Sequence, residues 1–195
     1  MMEFDQSIHN SQIVAGMIYD TDPQINQMLF GDRITGISLI TKLIEQNGTF
    51  YAAPYLRVIK NESGIVGIIS FYSIKQKAKL HLATGKAYYR LFGGKLFFKK
   101  LPILLKLNHL FGGEFDKCGS YVVYLFIQES ERRKGFASQT INELSKNLQK
   151  IYLHVASDNI AGIRFYENNG FINLSEHHIK IKKQEIKAYL MCRSN

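Results

Sequence analysis

The chain has 195 residues, an apolar fraction of 46% and 12% aromatics, which excludes a mostly disordered polypeptide. Its 25 Lys and Arg outnumber 16 Asp and Glu, giving a formal charge of +9. The excess is local: from Ser63 to Gly113 there are nine bases and no acid, and the other 16 bases are matched by 16 acids. That distribution excludes a diffuse nucleic-acid coat and marks one cationic block.

In chain order, Gln12–Tyr19 is predicted as a first strand, on Ile13, Val14, Met17 and Ile18. Asp22 can cap a short helix with Pro23 at its first position, running to about Phe30. A second helix runs from Ile34, with Ile37, Ile40, Leu43 and Ile44 at helical spacing, to Asn47-Gly48. Tyr55–Lys60 and Gly64–Tyr72 are strands of a hairpin around Asn61-Glu62-Ser63-Gly64. Tyr121–Ile127 is strongly β-prone. Arg133–Lys150 is predicted as an amphipathic helix, Ile151–Val155 as a strand, and Asn159–Asn168 as a helix closed by Gly170. Phe171–Ile181 and Glu185–Met191 close the chain as strands. The order predicts a mixed α/β sheet.

Residues 74–118 interrupt that sheet between its third and fourth strands. A connection of this length carries its own structure. Lys75–Phe92 and Pro102–Leu110 read as helical, punctuated by Gly93-Gly94. The segment holds many apolar residues, among them Phe97, Phe98, Leu104 and Leu105. It reads first as a lid over an acceptor site with its lysines reaching solvent, and second as recognition of an acidic acceptor or docking to a membrane or nucleic-acid surface. The start Met1-Met2-Glu3-Phe4-Asp5-Gln6 lacks the pattern of a secretory signal, and two cysteines make no disulfide framework, so a cytoplasmic location is expected. His177-His178 and the cysteines lack metal-ligand spacing, so no metal is expected.

The stretch Arg132-Arg133-Lys134-Gly135-Phe136-Ala137 joins a predicted strand to a predicted helix. A glycine-bearing turn at a helix start leaves backbone N–H groups free for a phosphate or pyrophosphate. Downstream come Asn159, Tyr166 seven residues later, and Gly170-Phe171. With Arg132, Gly135 and Ala137, these residues resemble the GNAT (GCN5-related N-acetyltransferase) family. The resemblance is strongest over Tyr121–Phe171. It implies the acyl-CoA N-acyltransferase fold, a single domain over residues 1–195 with the basic helical insertion 74–118 within it, and acetyl-CoA as cosubstrate.

The resemblance also implies a site. Backbone groups of Leu125, Phe126 and Ile127 would pair with the pantetheine arm. The amides of Arg133, Lys134, Gly135, Phe136, Ala137 and Ser138, with Arg132, would hold the pyrophosphate. Asn159 would bind the cofactor arm, and Tyr166 would protonate the departing sulfur. His154, on a strand and five residues before Asn159, is the candidate general base, with Glu114 and Asp116 as others. Gly162 stands where the family usually has Ala. The implied reaction is direct acetyl transfer to a primary amine through a tetrahedral intermediate, the acceptor being a small molecule or a protein. The alternative is a non-catalytic acyl-CoA sensor or adaptor docking to an anionic partner through the insertion. No nucleic-acid partner is expected, contact with a membrane surface is not favoured, and a homodimer is left open.

Overall fold

The computed structural model describes residues 1–182 and 184–194. Seven strands form one sheet in the order β1-β2-β3-β4-β5-β7-β6. They are β1 (Met2–Glu3), β2 (Leu56–Asn61), β3 (Gly64–Ser73), β4 (Ser120–Ile127), β5 (Lys150–Ala156), β6 (Ile172–Ile181) and β7 (Gln184–Ser194). Every pairing is antiparallel except β4 with β5. The helices are α1 (Ser11–Thr21), α2 (Pro23–Phe30), α3 (Arg33–Ile44), α4 (Lys77–Leu110), α5 (Phe136–Ser145) and α6 (Ile160–Asn168).

The pleat sorts the core. Leu56, Val58 and Ile68 face one layer, where they pack with α1, α3 and parts of α4. Their neighbour Ile69, with Val122, Leu153, Val155 and Met191, faces the other layer, with Ile141 and Leu144 of α5 and Tyr166 of α6.

The segment expected as the first strand is α1. Asn10 caps it, its side chain accepting from the amides of Gln12 and Ile13 at 2.9 and 3.3 Å. Ile13/Met17 and Val14/Ile18 also fit an i, i+4 spacing, and the helix lies against both α3 and the sheet. Burial from Val14 through Tyr19 erases the polar face that would have revealed the helix. The first strand is instead the two-residue β1 beside β2. The helix expected over 133–150 is also shorter. Arg133 and Gly135 have positive φ (62° and 87°), so helical backbone starts only at Phe136. At the far end the chain turns on Leu144, whose carbonyl accepts from the amides of Asn147 and Leu148.

The interrupting segment forms α4, kinked at Gly93, whose φ of 71° and ψ of 159° lie where essentially only glycine goes. The two helices expected on either side of that point are both present, and they fold back as antiparallel arms, Lys77 Nζ donating to the Phe111 carbonyl at 3.4 Å. Asp22 caps α2 as expected, accepting from the amide of Ile25 at 3.0 Å.

One further detail positions the site. The β3–β4 register shifts between Ser70 and Phe71, where Ser70 faces Tyr124 and Phe71 faces Val122. Val123 is therefore an extra residue that bends β4. β4 meets β5 at two pairs, Ser120 with Ile151 and Tyr121 with Tyr152, and then the strands part. On its other side β4 is held tightly: a Cβ on Gly67 would lie 2.5 Å from the Phe126 carbonyl oxygen. Gly67→Ala is therefore expected to destabilise the fold by about 1–3 kcal/mol, as overpacking does, measured by urea unfolding.

Candidate active site

The parting of β4 and β5 opens a cavity of about 1340 Å³. Its walls come from β4 and β5, the Arg132–Ser138 segment, α6, the α1–α2 junction and the inner face of α4.

At one end lies the turn into α5. This helix has no side-chain cap at Gly135. Among the described residues, no protein acceptor is bonded to the backbone amides of Arg133 through Ser138; the first amide tied back is that of Gln139, to the Gly135 carbonyl at 2.9 Å. A row of unpaired amides at a helix start, beside the guanidinium of Arg133, is an anion cradle. Arg132 braces the turn, its Nε donating to the Ile127 carbonyl at 3.1 Å, and Lys134 pairs with Glu131 at 3.0 Å. Next to the cradle, β4 runs unpaired with β5 from Val122 through Ile127; the Phe126 carbonyl faces β3 and the Ile127 carbonyl is taken by Arg132, so the alternate groups of Leu125 and the Ile127 amide form the open edge on the slot.

Asn159 caps α6, its Oδ1 accepting from the Gly162 amide at 2.9 Å. A Cβ at Gly162 would stand 2.6 Å from Asn159 Nδ2, so the glycine gives this side chain room to fold onto its own helix. Tyr166 packs edge-on to Phe165 and Phe171, with ring centroids 5.1 and 5.4 Å away. It lines the cavity, and its hydroxyl bonds to nothing among the described residues. Burial pushes its pKa up to about 12, so it is a proton donor at neutral pH.

His154 also lines the cavity, but its surroundings do not suit the base role expected of it. Its Nδ1 and the Tyr121 hydroxyl share a hydrogen bond of 2.8 Å, and its buried Nε2 has no partner among the described residues. The rings of Phe111 and His177 stand 5.6 Å away. Burial first, and the nearby His177 and Lys77 second, lower its pKa to about 3. A base this weak cannot take a proton from an alkylammonium of pKa about 10. Of the other candidates, Asp116 is tied to Lys150 at 2.8 Å, and neither it nor Glu114 lines the cavity. Cys118 is exposed and also lies outside the lining.

One wall of the cavity was not read from the sequence. It is a wall of phenols from β3, β4, α4 and the loop after α3. The Tyr51 and Tyr88 hydroxyls are 2.7 Å apart, the Tyr51 and Tyr124 rings are 5.9 Å apart, and Tyr72 bonds to His81 Nε2 at 3.0 Å. Two of these side chains, Tyr88 and His81, come from α4. Exposed Asp158 and Glu185 add negative charge to the lining, as does Asp22, whose carboxyl is held above the usual range chiefly by burial. No motif marks these residues, because they are gathered only by folding.

The model of the acetyltransferase (GNAT) family matches residues 37–171, more than half of the sequence. The chain belongs to the GNAT family. Among solved structures, an acetyltransferase shares 15% identity over 100% of this chain and 97% of its own, with a TM-score of 0.65. An N-acetyltransferase from Staphylococcus aureus Mu50 shares 18% identity over 92% of this chain and 94% of its own, with a TM-score of 0.67. A spermidine N-acetyltransferase chimera from Vibrio cholerae and hSSAT shares 16% identity over 99% and 93%, with a TM-score of 0.52. These likenesses show the GNAT fold. No curated protein matches the sequence.

The environment of His154 has a measurable consequence. Below its ordinary pKa of 6.5 the unfolded chain takes up a proton here that the folded chain refuses until about pH 3. The unfolded state then binds more protons, so stability falls as pH falls through this window. Urea unfolding from about pH 7 to about pH 4 is expected to show a steeper loss for the native protein than for His154→Gln, which removes that titration.

Proposed function

We propose that the protein is an acetyl-CoA-dependent N-acetyltransferase that acylates a primary amine by direct transfer. Residues 1–195 act as one catalytic domain, and the insertion 74–118 supplies one wall of the acceptor site. One observation carries this reading: the unpaired amides from Arg133 to Ser138 open on the same cavity as the free hydroxyl of Tyr166.

The residues present fit the cosubstrate. The amides of Arg133 through Ser138 and the guanidinium of Arg133 suit a pyrophosphate, with Arg132 holding the turn in shape. The open edge at Leu125 and Ile127 suits an arm that carries amide groups, and Asn159 offers its Nδ2 beside it. When bound, acetyl-CoA supplies an acetyl thioester, a carbonyl already activated toward an amine. A main-chain N–H near Phe126 can receive the charge that develops on the carbonyl oxygen. Tyr166, protonated at neutral pH, donates a hydrogen bond and then a proton to the departing sulfur. His154 orients Tyr121 through their shared hydrogen bond and stays uncharged at neutral pH. The carboxylate of Asp158 draws a cationic amine toward the cavity, Glu185 being paired with Lys187 at 3.6 Å, and the amine's proton leaves through water at that open side.

Tyr166→Phe is expected to lower turnover about 100-fold while acetyl-CoA affinity changes less than about 3-fold, read from CoA-thiol release over an amine panel and from calorimetry. A large affinity loss with turnover intact would overturn the role of Tyr166. Gly135→Val forces a branched side chain to a φ of 87° and should weaken acetyl-CoA binding at least about tenfold with the helical circular dichroism retained. Binding of acetyl-CoA without release of thiol to any amine would favour the acyl-CoA sensor instead.

A further inference from the structure

Much of the outer face of α4, including Leu82, Tyr89 and Phe98, lines neither the cavity nor the core, and Leu105 at its edge also borders the cavity. The buried residues of the helix, such as Leu80, Ala87, Tyr88, Leu107 and Leu110, look inward. Outward, Leu82 is 64% exposed, Tyr89 48%, Phe98 64% and Leu105 62%. At about 100° per residue, Leu82 and Tyr89 fall within about 20° of each other, beside Lys79, Lys86 and Arg90, which span about 40°. Beyond Gly93, Phe98, Pro102 and Leu105 fall within about 60°, beside Lys95, Lys99 and Lys106, which again span about 40°. Each arm thus sets a row of bases beside its apolar row, and because the arms run antiparallel, with Lys77 Nζ 3.4 Å from the Phe111 carbonyl, the two base rows fall on opposite sides in space. The apolar rows join across the kink, where the Tyr89 ring meets those of Phe97 and Phe98 at 5.4 and 6.4 Å.

The result is an apolar row pointing outward on each arm, with a row of bases beside it. Among the described residues, Lys79, Lys86, Arg90, Lys95 and Lys99 have no carboxylate partner. Lys106 is turned to the Lys180 carbonyl at 2.6 Å. No acid lies between Ser63 and Gly113 to weaken the field.

We propose that this face docks in the plane of an anionic lipid surface. Aliphatic and aromatic side chains standing out beside a lysine row match an interface with an apolar interior and negative headgroups. A nucleic-acid surface would use the bases and leave Leu82, Phe98 and Leu105 without a purpose. Among the described residues no helix is long and apolar enough to cross a membrane, so the contact is peripheral.

The test is co-sedimentation of the full chain with phosphatidylglycerol-rich vesicles and with pure phosphatidylcholine vesicles. Binding is expected to the former, to weaken with salt, and to fall at least about tenfold in Phe98→Ser/Leu105→Ser and in Lys95→Gln/Lys99→Gln. In Phe98→Trp, the indole emission should shift to the blue with the anionic vesicles alone. These side chains are exposed, and circular dichroism checks that the variants fold. Equal binding to both vesicle types, no binding to either, or binding indifferent to these substitutions would overturn the proposal. So would a change of oligomeric state on Phe98→Ser/Leu105→Ser in lipid-free solution, which would make the face an interface between copies. An RNA gel shift as sensitive to the lysines as vesicle binding, but indifferent to Phe98 and Leu105, would overturn it as well.

Discussion

The structure depends on an unfinished strand pairing. β4 and β5 begin as parallel neighbours and share only two residue pairs before they separate. A parallel sheet interior is normally closed by hydrogen bonds and covered on both faces. Here the covering remains and the closure does not. The extra residue at Val123 bends β4 away, and the contact of Gly67 with the Phe126 carbonyl keeps the bent half attached to β3. The opening is thus built from both sides: one neighbour is held and the other is released. The loop to α5 and the start of α6 follow the parted ends, which brings the amide cradle and Tyr166 to the same slot.

Burial then assigns the chemistry of the groups that line it. Tyr166 and His154 are both ordinary side chains whose charged forms are disfavoured. For the phenol, protonated at neutral pH in either setting, this leaves the proton in place. For the imidazole it removes the capacity to take one. The same desolvation therefore leaves one expected role intact and undercuts the other, and only the folded environment tells them apart.

Much of this was legible in the sequence where the signal is local. The Asp22-Pro23 cap, the hairpin around Asn61–Gly64, the β4 run and the spacing from Arg132 to Tyr166 each carry their meaning in neighbouring residues. What escaped depended on distant packing. Residues 12–19 look like a strand because tertiary contacts bury the helix on nearly every side. The start of α5 was misplaced because the positive φ of Arg133 leaves no mark in composition. The acceptor wall joins Tyr51, Tyr88 and Tyr124 from separate elements, and no spacing rule connects them.

The dihedral break at Gly93 has an effect beyond the bend itself. In an unbroken helix of about 3.6 residues per turn, the row of Leu82 and Tyr89 and the row of Phe98, Pro102 and Leu105 would stand on nearly opposite sides. A periodicity summed along all 34 residues of α4 cancels for that reason. One glycine reverses the chain as well as its phase: two segments written half a turn out of step become antiparallel arms that each expose an apolar row. The information that aligns them is carried by a residue with no side chain, at a place where a search for amphipathic character would find nothing.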